Sequence, residues 1–144
     1  MFSKACEYGI KASIYIAGES LLGNKVSLKN ISKSIESPQA YTSKILQKLC
    51  RNNIINSDKG PTGGFSMNKQ ELENIKLSAI VTAIDGDKIF KGCGLGLNKC
   101  NEKMPCSVHN QFKNIRDGLK NMLEKTTLKS LAEDYEKGLT FLKR

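Results

Sequence analysis

The side chains with the most chemistry in this chain lie between Lys91 and His109, in the run KGCGLGLNKCNEKMPCSVH. Three of the five cysteines fall here: Cys93, Cys100 and Cys106, separated by six and then five residues. His109, the only histidine, follows Cys106 with two residues between. Thiolate and imidazole are the donors that soft and borderline metals prefer. Gly92, Gly94 and Gly96 surround the first cysteine, and glycine lets backbone close tightly around a bound object. The residues leave three readings open. Thiolates with one histidine can hold an iron–sulfur cluster. Three Cys and one His can close a tetrahedral Zn²⁺ site. The thiols can also serve as a redox switch. Zinc ligands usually come in C-x2-C pairs on a small knuckle, whereas these cysteines are spread along a glycine-rich cup, which favours the cluster.

The bulk composition narrows the partners. A net charge of +9 and a pI near 9.4 favour a polyanion, of which nucleic acid is the commonest. No stretch approaches the roughly 20 apolar residues that span a bilayer. The start, MFSKACEYGIKAS, carries charge throughout and lacks a signal-peptide core. The expectation is a cytoplasmic protein with no membrane partner. In a reducing compartment, clustered cysteines point to metal or redox chemistry before structural disulfides. There is no Ser/His/Asp set, no GxxxxGK phosphate loop and no HExxH motif. Only a Cys93 or Cys100 nucleophile paired with His109 remains for catalysis. Neither an enzyme nor a small-molecule substrate is expected.

The elements that must carry the cysteine loop are legible in the apolar spacing. Phe2, Cys6, Ile10, Ile14, Ala17 and Leu21 recur at helical steps, and Gly23-Asn24 ends that helix. Ser27 can cap a second helix that turns Leu28, Ile31 and Ile35 inward. Ser37 is expected to cap a third, with Pro38 at its first position, running through Tyr41, Ile45, Leu46 and Leu49. Two short helices joined by a tight turn form a helix-turn-helix pattern. The outer face of the second offers Gln39, Thr42, Ser43, Lys44 and Lys48, groups suited to base edges and phosphates. Ile54 to Lys59 then reads as a strand, Gly60 to Gly64 as a turn and Phe65 to Met67 as a return strand, which makes the unit a winged helix. Tyr41 on the helix and Ser57, Lys59, Gly60, Thr62 and Gly63 on the hairpin complete the expected DNA-contact set. Residues 24–69 hold eight Lys/Arg against two acids, so +6 of the total +9 falls in this region.

Residues 1–76 are thus expected to form a winged helix-turn-helix DNA-binding domain. Residues 77–144 are expected to form a cluster-binding loop and a helical dimerisation region. Leu77, Ile80, Val81 and Ile84 mark a short apolar helix, capped by Ser78 and stopped at Gly86. Past the cysteine loop, Val108, Phe112, Ile115, Leu119 and Met122 step by four, three, four and three. That is an a/d seam suited to pairing across a homodimer, with an ordinary amphipathic core helix as the alternative. Thr127 can cap a last helix bearing Leu128, Leu131, Ala132, Tyr135 and Leu139. The fold class is mainly α with one small β-hairpin.

The segments FSKACEYGIKASIYIA, VSLKNISKSI, YTSKILQKLCRNNIINSDKGPTGGF and LSAIVTAIDG, in that order, resemble the iron–sulfur winged-helix regulators of the IscR and NsrR type, the Rrf-two family. The likeness spans nearly the whole chain and is strongest in the wing, where GPTGGF is close to that family's GPGGGY. The resemblance implies a dimeric transcription factor, usually a repressor, binding a double-stranded DNA operator. It implies that Cys93, Cys100 and Cys106 hold an iron–sulfur cluster, with His109 completing a 2Fe–2S rather than a 4Fe–4S centre. In other branches a carboxylate from the partner's first helix takes that place, and Glu7 is the corresponding candidate here. The alternative within the same family is a cluster-free thiol switch or a zinc-containing regulator. Ser43 stands where the IscR branch has a glutamate on its recognition helix, so that branch's operator preference does not transfer.

Overall fold

The computed structural model describes residues Met1–Arg144. Seven helices and one two-stranded hairpin follow in the order α1 (Lys4–Leu21), α2 (Leu28–Ile35), α3 (Gln39–Arg51), β1 (Asn56–Asp58), β2 (Gly64–Ser66), α4 (Leu77–Asp85), α5 (Lys88–Lys91), α6 (His109–Lys125) and α7 (Leu128–Glu136), with a 3-10 turn at Lys69–Glu71.

Helix α1 is the axis of the molecule. Ser3 caps it by accepting the amide of Cys6, and Gly23, at φ 80°, ends it. Helices α2, α3, α4 and α7 all pack on it. Its buried surface is therefore wider than a single apolar stripe. Cys6, Ile14 and Ala17 are buried as the periodicity predicts, while Phe2, Ile10 and Leu21 are half-exposed. The remaining depth comes from small residues, Gly9, Ala12, Ser13, Gly18 and Ser20, together with Ile16. A β-carbon at Gly9 would lie 2.0 Å from Ile84 Cδ1, and one at Gly18 would lie 2.5 Å from Glu136 Oε1. Small side chains are what let several helices approach α1 this closely.

The helix-turn-helix forms as expected, with Ser27 accepting the amide of Asn30 at the start of α2. The entry to α3 differs. Pro38 occupies the cap position and no side chain caps the helix. Thr42, expected on the outer face, is fully buried. Its hydroxyl donates to Pro38 O at 2.8 Å. A threonine has one proton to give, so the hydrogen bond between Ser37 Oγ and Thr42 Oγ1 runs from Ser37. The two hydroxyls that looked like a cap and a DNA contact instead close the turn from inside.

The hairpin is shorter than predicted. Ile54 and Ile55 are buried in the turn before it, and the strands pair antiparallel with Asn56 opposite Ser66, Ser57 opposite Phe65 and Asp58 opposite Gly64. Val26 and Phe65 exchange backbone hydrogen bonds at 3.0 and 2.7 Å, fastening the wing to the chain before α2. Gly64, at φ 138°, passes where a β-carbon would lie 2.9 Å from Val26 O.

Helix α4 starts without help from Ser78. Its first amide, Leu77 N, donates to Thr126 O at 2.9 Å, and Leu128 N donates to Ile75 O at 2.8 Å. This backbone bridge satisfies the end of α4 that a capping side chain would otherwise serve. Gly86, at φ 76°, stops the helix as expected. Thr127 caps α7, but Leu139 lies past its end and is exposed. Helix α6 rests on α4 and α5; its Leu123 is fully buried, while Phe112, Ile115 and Met122 are exposed. Val108 and Leu119 are half-buried.

Thr42→Val keeps the shape and removes the hydroxyl that joins Ser37 to Pro38. It should lower unfolding free energy by about 1 kcal/mol, measured by urea titration with an unchanged m-value. An unaltered midpoint would contradict the internal role.

Candidate metal centre and nucleic-acid interface

The cysteine loop hangs between α5 and α6 and is shaped by its glycines. Gly92 N donates to Lys88 O at 2.7 Å as α5 ends. Gly94 lies against the Phe112 ring, where an added β-carbon would be 2.3 Å from Cγ. Gly96, at φ 74°, turns back so that its amide reaches Cys93 O at 3.0 Å. The loop can lie on α6 only because no side chain projects from Gly94.

All five cysteines are free thiols, and their surroundings differ. Hydrogen bonds from the amides of Leu95 and Leu97, with a smaller one from the Cys106 side chain, hold the Cys93 thiol below its ordinary range. Cys100 Sγ lies 3.4 Å from Nδ1 of His109. His109 is buried, at 7% exposure, and opens α6, with its amide donating to Cys106 O at 3.0 Å. Burial pushes the Cys6 thiol up to about 12, and burial also raises Cys50, so both behave as apolar core groups.

The structure therefore places Cys93, Cys100 and Cys106 on one loop and His109 at its end, and draws Cys100 against His109. No three His, Cys, Asp or Glu side chains converge closely enough to hold a single metal ion. In type, the donor set fits an iron–sulfur cluster. Glu7, the other candidate, is on the first turn of α1 and pairs with Lys4 at 3.0 Å.

Arg116 was not singled out from sequence. Its Nη1 donates to Gly92 O at 2.8 Å, and a hydrogen bond with Cys100 raises it above even the ordinary arginine range. Its Nε is buried with no partner. The usable signal was spacing, since residue 116 lies two helical turns after His109 on the same face.

The basic face is built by α3 and the hairpin. Gln39, Tyr41, Lys44 and Lys48 are exposed and Ser43 is half-buried; Ser57, Lys59, Gly60 and Thr62 are exposed at the wing and Gly63 is half-buried. Gly63 N donates to Gly60 O at 3.0 Å, and a β-carbon at Gly63 would lie 2.2 Å from Asp58 O, so the tip closes only around glycine. Tyr41 meets Tyr8 edge-to-face at 5.8 Å. Lys4 and Lys11 lie 5.6 and 5.0 Å from the Tyr8 ring. No helix is long and apolar enough to cross a membrane.

A three-helix core with a wing, a basic recognition helix and a separate helix entered by a thiol-bearing loop define a winged helix-turn-helix transcriptional regulator. The chain belongs to the Rrf2 family of iron-dependent transcriptional regulators, which it matches over residues 2–134. It is 28% identical over 141 residues to an HTH-type transcriptional regulator of Aquifex aeolicus, covering 96% of each chain. It is 26% identical over 129 residues to the HTH-type transcriptional regulator IscR of Escherichia coli, covering 90% of this chain and 78% of IscR. Among solved structures, CymR of B. subtilis, described as the global cysteine regulator, superposes with a TM-score of 0.74 at 22% identity, over 92% of this chain and 96% of CymR. IscR of T. potens superposes with a TM-score of 0.73 at 18% identity, over 97% and 91%. Both share the fold.

Alkylation of the apo protein at pH 7 should modify Cys93 well before Cys6. The thiolate is the reactive form, amides favour it at Cys93, and burial suppresses it at Cys6. Peptide mass spectrometry of a time course checks the order, and early modification of Cys6 would contradict the buried position.

Proposed function

We propose that this regulator binds its operator as a homodimer and that its affinity is set by an iron–sulfur cluster, of the 2Fe–2S type, held by Cys93, Cys100, Cys106 and His109. The observation that carries this reading is the placement of three thiols on one loop with His109 at its end, against Cys100. When bound, the cluster supplies a centre whose charge and ligation respond to redox and to small reactive species.

The chain's own residues connect that centre to DNA. His109 opens α6 and Cys106 lies just before it, its carbonyl accepting the His109 amide, while Cys93 and Cys100 belong to the loop further back. Helix α6 packs on α4, and α4 packs on both α1 and α3. A shift between loop and helix therefore has a packed route to the recognition helix. Phe112, Ile115 and Met122 leave an apolar face on α6 of the kind that pairs with a second copy. Two-fold DNA readers depend on half-site spacing, so the angle at this face bears on affinity.

A second reading has its own support. The Cys106 side chain is among the groups that lower the Cys93 thiol, and two neighbouring thiols can be joined by an added oxidant without iron. Anaerobic reconstitution with iron and sulfide, followed by gel shift of holo and apo protein, separates the two. Iron and sulfide uptake, with at least about a tenfold difference in operator affinity, is the expected outcome. Equal affinities with no iron uptake, together with an affinity change on thiol oxidation, favour the thiol switch.

Lys44, Lys48 and Lys59 are exposed on the basic face and supply phosphate contacts in this reading. Lys59→Ala should weaken binding across sequences and reduce the log–log salt slope by about 0.9. An unchanged slope would mean that the wing lies off the DNA.

A further inference from the structure

Arg116 is the cation of α6 that reaches the cysteine loop from beneath. Its Nη1 holds Gly92 O at 2.8 Å, and Cys100 comes near enough to the guanidinium to raise it. Cys100 in turn lies 3.4 Å from His109 Nδ1. Backbone before the first cysteine, the second cysteine and the histidine thus gather around one side chain. Beside it lies a small apolar cavity of about 190 Å³ lined by Ile89, Gly94, Phe112, Ile115 and Leu119.

Two features separate this residue from an ordinary helix cation. Its Nε is buried and has no partner in the protein, and a buried donor left unpaired is costly. It is also planar and offers several donors in one plane, which a lysine ammonium does not reproduce. The ion pair of Lys113 with Glu102 also ties α6 to the loop, but it joins two solvated side chains and is worth little.

Building on the cluster reading above, we propose that Arg116 is the positioning residue of this centre: it holds the two halves of the loop in register for iron uptake, and its fixed charge sets the centre's reduction potential. A positive group beside a cluster favours the reduced, more negative state, so the potential is raised by its presence.

The test compares wild type with Arg116→Lys and Arg116→Met. In the apo proteins, hydrogen exchange of peptides covering residues 92–100 should quicken by about tenfold in both variants, since both lose the bridge, while wing peptides stay unchanged. After anaerobic reconstitution, a spectroelectrochemical titration should place Arg116→Lys near wild type and Arg116→Met at a more negative potential. Lost packing alone would move both variants alike, so rescue by lysine identifies the charge. Wild-type exchange in both variants would overturn the clamp, and an unshifted potential in Arg116→Met would overturn the charge role. Failure of wild type to take up iron would overturn the cluster reading and the charge role with it, while the apo exchange result would still decide the clamp.

Discussion

At Gly9 there is no room for a methyl group, and the architecture follows from that close crossing. A β-carbon there would enter Ile84 on one side and press on Ile45 at 3.4 Å on the other. The position is thus where α1 meets both α4, which leads to the cysteine loop, and α3, which carries the exposed basic groups. Tight interiors transmit displacement because they have little slack to absorb it. The same end of the molecule carries a polar fastening. The backbone amide and hydroxyl of Ser3 both donate to Asp85 at the end of α4, and Ser3 also caps α1. The two helices are therefore tied at one end and interlocked one turn further on.

The cysteine loop is organised on a different principle. It has few apolar anchors of its own, and Leu95, Leu97 and Met104 are exposed. What fixes it is backbone geometry: Gly92 tucked under Lys88, Gly94 on Phe112 and a left-handed turn at Gly96. Segments held this way sit at the low-stability end of a structure, where opening costs little. That suits a region whose conformation is meant to depend on what it binds.

Much of this was legible beforehand because it rests on local chemistry. Ser27, Gly23, Gly86 and Thr127 mark helix ends through capping and φ preferences that act over a few residues. The wing was legible because Gly63 and Gly64 permit close backbone passage that other residues would block. What sequence missed was polar chemistry turned inward. Thr42 reads as a surface group, and only the path of Ser37 and Pro38 shows that its hydroxyl is needed inside. Ser78 reads as a cap, but a backbone bridge from the α6–α7 junction made one unnecessary. The small residues of α1 were passed over because apolar periodicity weighs size, whereas close helix crossings require its absence. Arg116 reads as one more solvated cation in a basic chain until the loop is folded over it.

Phe112 occupies two roles at once. One side of its ring is the floor beneath Gly94, and the rest, at 44% exposure, belongs to the outward apolar strip of α6. A second molecule covering that strip would press on the same ring that supports the loop. Association and loop order would then be thermodynamically linked, and such linkage runs equally in both directions. Protein concentration would bias the sulfur-bearing segment toward its closed form, and closing that segment would in turn tighten the pair.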